Sequence, residues 1–158
     1  MLKSQLCVVL LLLFIVTTKG YKSEPNVMVV MLIRNKAHLL NNTLKFLENQ
    51  DYPKAKIGLF IRSDHNEDNT DEILATWLKS QKEYYFMDVS IGNNYGQRFH
   101  DQLLGPLEWS ISRFKYVIAL KEEALVKARQ AWTDWIWYLV TPRSGEAIKP
   151  KFLFHCNH

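Results

Sequence analysis

Nine consecutive polar residues, Arg62-Ser63-Asp64-His65-Asn66-Glu67-Asp68-Asn69-Thr70, follow the short apolar run IGLFI at 57–61. A carboxylate at the head of such a loop, here Asp64, selects a ligand by geometry and charge, because an ionised carboxylate only accepts hydrogen bonds. The alternative is a solvated turn aspartate. His65 and Asn66 carry side chains that contact a ligand or tie the loop together through local hydrogen bonds, whereas Asp68 and Asn69 suit a helix start. A second polar pair, Arg34-Asn35, closes the apolar run VMVVMLI at 27–33. A guanidinium fixed there offers several donors to a phosphate or a base edge, although an Arg after a strand is also common at surfaces. Lys121 lies in a helical pattern, where an ammonium either offsets anionic charge or is simply solvated.

Trp132, Trp135 and Trp137 could form a sugar-stacking platform, but alternation puts Trp135 and Trp137 on one face of a strand, where large aromatics serve packing. His155, Cys156 and His158 have metal-ligand chemistry on a terminal stretch too frayed to preorganise a site. Asn41-Asn42-Thr43 is an acceptor sequon for N-glycosylation.

The elements that must position these residues follow from periodicity. The runs at 27–33 and 57–61 are continuously apolar and read as strands buried on both faces. Between them, residues 38–49 carry Leu40, Leu44 and Leu47 at helical spacing, and Asp51-Tyr52-Pro53 closes the segment as a turn. Asn69 followed by Glu72 resembles a capping box for a helix reaching about residue 81, with Ile73, Leu74, Trp77 and Leu78 on one side. A third strand is expected at about 84–89. Residues 91–109 form a long loop of the kind that is usually functional or mobile. A long helix begins at Ser112, its apolar side made by Val117, Leu120, Ala124, Ala128 and Ala131, and a fourth strand occupies 135–139. The order β-α-β-α-β-loop-α-β predicts a parallel sheet covered on both faces, the Rossmann-like half of an α/β nucleotide-binding domain. In such a sheet ligands gather at the carboxyl ends of the strands, so Arg34-Asn35, residues 63–69 and whatever follows Leu139 are the positions to inspect.

The 158 residues bound the chain to one modest domain. A hydrophobic share of 47% with 13% aromatics excludes disorder and low complexity. Residues 1–20 read as a secretory signal, with Lys3, an apolar run at 6–16 and Thr18-Lys19-Gly20 as the cleavage site. An apolar run of that length falls short of the ~20 residues that cross a bilayer, so cleavage is expected in place of a retained anchor. Loss of Lys3 and Lys19 lowers the formal charge from +4 to +2. With no cluster of Lys and Arg, no nucleic-acid partner is expected. Cys7 leaves with the signal, and the mature chain keeps one thiol, Cys156, and no internal disulfide.

The segments MLIRNKAHLL, QDYPKAKIGLFIRSDHNEDNTDEILATWL and LKEEALVKARQAWTDWIWYL closely resemble the procollagen galactosyltransferases of glycosyltransferase family 25, which include the cerebral endothelial cell adhesion molecule. The resemblance runs from about 25 to 139, with the motifs in the family's order. It implies an α/β, GT-A type fold in the endoplasmic reticulum lumen and, in complete enzymes, transfer of galactose from UDP-galactose to hydroxylysine of collagen with Mn2+ held by an Asp-x-Asp motif. On that resemblance Asp64 accepts hydrogen bonds from the nucleoside, and Arg34, Asn35, His65 and Lys121 complete the nucleotide-sugar site.

The fourth strand runs into Val140-Thr141-Pro142 where the family has its Asp-x-Asp, and the first acidic residue after it is Glu146. A cation bridging a diphosphate needs hard oxygen ligands at that strand end, so no metal is expected to be held by this chain. Residues 21–139 are then a partial GT-A domain, an incomplete amino-terminal portion without transferase activity by itself. Residues 140–158 form a divergent tail with no regular element. A sheet ending at the fourth strand would expose its edge, an aggregation hazard. The rival expectation is a non-enzymatic luminal or secreted binding protein of the same family, secretion being open because no carboxyl-terminal retention signal is present.

Overall fold

The computed structural model describes residues 24–92, 110–139 and 153–156. The expected signal, most of the expected loop at 91–109, residues 140–152 and the terminal pair with His158 lie outside them. Strand β1 (Val27–Ile33) leads into helix α1 (Ala37–Glu48), a short 3-10 turn (Lys54–Lys56) and strand β2 (Ile57–Ser63). Helix α2 (Thr70–Leu78), strand β3 (Phe86–Ser90), helix α3 (Ile111–Gln130) and strands β4 (Trp135–Tyr138) and β5 (Leu153–His155) follow. The sheet order is β3-β2-β1-β4-β5. The first four strands are parallel and β5 runs antiparallel to β4. The fold is the expected Rossmann-like α/β sheet, short of a full domain.

Both faces of the sheet are covered, which is why β1 and β2 read as unbroken apolar runs. Val29, Met31 and Ile33 face the side on which Leu40, Leu44 and Leu47 of α1 and Leu74 of α2 are buried. Met28, Val30 and Phe60 face the other side, with Ala124 and Ala128 of α3, Ile136, Tyr138 and Cys156. Two alanines with no exposed surface in the last two turns of α3 let its backbone lie close to Phe60 and Met28.

Three expectations are corrected. Helix α2 stops at Leu78, not at about 81, because the amides of Ser80 and Gln81 turn back to the carbonyls of Trp77 and Leu78 at 3.1 Å. Its start is not a capping box: Asn69 makes no side-chain cap bond, and the Thr70 amide donates to Asp68 Oδ1 at 3.1 Å. The terminal stretch is not wholly without structure, since β5 pairs Leu153 with Trp137, Phe154 with Ile136 and His155 with Trp135. Beside it, the Cys156 amide donates to the Asp134 carbonyl at 2.8 Å and its side chain is buried. The edge of β4 is therefore paired, not open.

Helix α3 ends in a Schellman motif. Thr133 N–H donates to Ala128 O and Trp132 N–H to Arg129 O, each at 3.1 Å, which requires Trp132 to adopt the left-handed region at φ 51°.

Candidate functional site

The parallel register sets Ile33 opposite Ser63, so the chain leaves β1 at Arg34-Asn35 and β2 at Asp64-His65 side by side. At each exit one residue with a side chain takes a left-handed conformation, Asn35 at φ 50° and His65 at φ 46°. Such residues carry a local cost that surrounding bonds must hold, and here the two loops are cross-tied. Asn35 N–H donates to Asn66 Oδ1 and Glu67 N–H donates to Asn35 Oδ1, both at 2.7 Å. Lys36 N–H donates to Thr70 Oγ1 at 2.9 Å, and Ala37 N–H donates to Asp68 Oδ2 at 3.0 Å.

Asp68 thus satisfies an amide at the start of α1 from a distant part of the chain as well as one at the start of α2. Burial pushes its carboxyl up, but the bonds from the Thr70 hydroxyl and the Ala37 and Thr70 amides outweigh this and hold it below the ordinary value. Beneath the loop, Ser63 Oγ donates to Asp71 Oδ1 at 2.6 Å, and Asn66 Nδ2 reaches both of them at 2.7 Å. Of the residues expected from the sequence to start helices or stiffen this loop, Asn66 and Asp68 do so.

Asp64 stands on this scaffold with its side chain 17% exposed. The Tyr116 hydroxyl, from the second turn of α3, donates to Asp64 Oδ2 at 2.8 Å, and His65 Nδ1 lies 3.5 Å from the same oxygen. Among the described residues nothing donates to Oδ1. Burial and then the Asp64 contact push the Tyr116 phenol up to about 12, so it remains a donor across the physiological range. One turn earlier, the Arg113 guanidinium is lowered by burial and by repulsion from Arg34, with Asp64 opposing. The site therefore gathers a carboxylate, an imidazole and two guanidinium groups at one edge of the sheet, a set that can bind donors and anions together.

Arg34, Asn35, Asp64 and His65 come together as the sequence suggested. Lys121 lies elsewhere on α3, its ammonium 5.7 Å from the centre of the Tyr138 ring while the Tyr138 hydroxyl donates to the Lys121 carbonyl at 3.2 Å. Tyr116 and Arg113 escaped the sequence reading. The signal that could have found them is their spacing, three apart and in phase with Leu120 and Ala124 on the inward side of α3.

Arg62 belongs not to the polar loop but to β2, stacked 3.9 Å from the Phe60 ring centre and paired with Asp88 at 2.8 Å and with Glu123. Lys127 reaches the other Asp88 oxygen at 3.1 Å. Burial raises the Asp88 carboxyl, but Lys127 and Arg62 together bring it below its ordinary value.

Trp135 and Trp137 pack against other rings, as their alternation suggested. Trp137 packs edge-on against Phe46 at 6.1 Å, Trp135 meets His155 at 4.8 Å, and Trp132 caps α3 at the opposite edge from Asp64. Away from the strand ends, a shallow groove between α1 and α2 is bordered by Asn41, Leu44, Glu48, Ile73 and Trp77. Among the described residues no three His, Cys, Asp or Glu side chains are gathered as a metal site, and no helix is long and apolar enough to cross a membrane.

Residues 24–142 match the family model for the N-terminal domain of glycosyltransferase family 25. A glycosyltransferase 25 family member of Drosophila pseudoobscura pseudoobscura is 42% identical over 115 residues, 73% of this chain and 18% of that protein. One of Aedes aegypti is 42% identical over 139 residues, 84% of this chain and 23% of that protein. Procollagen galactosyltransferase 2 of Mus musculus is 41% identical over 116 residues, 73% of this chain and 18% of that protein. The chain thus spans about a fifth of the length of these relatives. With a matched domain covering strands β1 to β4, the three helices and the cross-tied loops described above, the chain belongs to glycosyltransferase family 25.

Proposed function

We propose that the carboxyl edge of the sheet is a nucleotide-sugar site and that this chain is the nucleotide-binding portion of a procollagen galactosyltransferase-like protein of the secretory pathway lumen. The observation that carries the reading is the Asp64 cluster, in which one carboxylate oxygen is held by Tyr116 and the other is left to accept from a ligand. A uracil or ribose presents N–H or O–H donors that a fixed carboxylate can select. Arg34, with Arg113 within electrostatic reach, supplies positive charge for the phosphates, and Asn35 and His65 shape the rim. Lys121 adds positive charge further along the same helix. The donor in this reading is UDP-galactose and the acceptor, met by the longer protein, is hydroxylysine of collagen.

A divalent cation does not fit the residues after β4. Leu139 is buried and Val140, Thr141 and Pro142 bring no carboxylate. This stretch is therefore proposed to bind the nucleotide without manganese and not to transfer the sugar by itself.

Calorimetry of UDP binding to the chain, with and without manganese, tests this. Metal-independent binding is expected, with Asp64→Ala weakening it about tenfold or more, the loss of a charged hydrogen bond. A folded chain that binds no UDP overturns the reading and favours the non-enzymatic binding protein.

A further inference from the structure

We propose that Asn41 carries an N-linked glycan, attached before α1 folds, whose first sugars lie along the groove between α1 and α2. This is independent of the nucleotide site. Asn41 heads the sequon Asn41-Asn42-Thr43 and its side chain is exposed in the middle of α1. A bulky polar group there projects into solvent without disturbing Leu40 or Leu44, which face the core. The groove beside it has Leu44, Ile73 and Trp77 as apolar lining. The Trp77 indole is held in place by its N–H donating to Glu48 Oε1 at 2.8 Å, and the half-buried ring is a surface that the C–H face of a pyranose can cover.

The order of events follows from Thr43. Its side chain has no exposed surface and its hydroxyl donates to the Leu39 carbonyl at 3.1 Å, so the folded helix hides half of the sequon. Transfer needs the asparagine amide and the threonine hydroxyl presented together, which only the unfolded nascent chain offers. In the step, Asn41 Nδ2 forms a bond to the anomeric carbon of a polyprenyl-diphosphate-linked oligosaccharide. The bond from that carbon to the diphosphate breaks, the diphosphate leaves with the electron pair, and the amide gives up one proton.

The full chain with its own leader is expressed in a eukaryotic secretory host. Digestion with peptide N-glycosidase in heavy-oxygen water should convert Asn41 to labelled aspartate, detected by mass spectrometry, and Asn41→Gln should remove the accompanying gel shift. Chain translated in the presence of microsomes should be modified, whereas chain folded beforehand and then offered to them should not. Enzymatic removal of the glycan from native protein should speed hydrogen exchange in α1 and α2 several-fold, and less so in Trp77→Ala. An unmodified Asn41 in luminal protein, a chain that never enters the lumen, or efficient modification of folded chain overturns the proposal. Unchanged exchange after deglycosylation overturns the placement in the groove.

Discussion

Asp64 is gripped through a single oxygen, and the consequence is specific to Tyr116. A phenol that stays protonated to about pH 12 donates at every working pH and holds the carboxylate through Oδ2. Tyr116→Phe removes that donor while keeping the ring. UDP affinity measured by calorimetry is expected to fall about tenfold, close to the value of one charged hydrogen bond. On an Asp64→Ala background the same change should have little further effect, since coupled residues are not additive.

Asp68 and Asp88 give the acid limb. Both carboxyls lie below the ordinary value in the folded chain, so the unfolded chain takes up protons first as pH falls. Their stabilisation is present above about pH 4 and is lost as pH drops through the folded values. Asp68→Asn should flatten that limb in chemical denaturation followed between pH 6 and pH 3. The aspartates were visible in the sequence, but their partners were not, because Ala37 and Asp68 are 31 positions apart and meet only through the sheet register.

Helices α1 and α2 were readable from apolar spacing, α1 to within a residue at each end, whereas the ends of α2 were not. A capping pattern within one segment pointed to Asn69, while the bond that forms uses Asp68 for two helices at once. Asp68→Ala should therefore lower stability by about 1 kcal/mol or somewhat more, as for loss of a strong cap, measured by urea unfolding. The end of α3 makes the opposite case. Trp132 is 69% exposed and left-handed, so its bulk gains little from burial and strains the Schellman turn. Trp132→Gly is expected to stabilise by about 1 kcal/mol, the left-handed penalty for an L side chain. A rise of roughly 2–4 °C in Tm for a chain of this size would show it.

Across the whole molecule, the parallel sheet needs both faces and both edges accounted for. The faces are covered by α1 with α2 on one side and α3 on the other, and β5 covers the outer edge of β4. Removal of residues 153–158 should uncover that edge and withdraw Cys156 from the core, lowering Tm and producing higher-order species in size-exclusion chromatography. Hydrophobic periodicity and strand order carried the strands, the helices and the carboxyl edge of the sheet, because burial on two faces writes itself into unbroken apolar runs. That information is local and survives in one dimension. The contact of Asp64 with Tyr116, the burial of Arg62 between Asp88 and Glu123, and the pairing of residues 153–155 with β4 join positions 16 to 61 apart. A side chain's spacing along the chain says which face it occupies, whereas its contact across the sheet depends on register and on helix placement, and those exist only once the chain has packed.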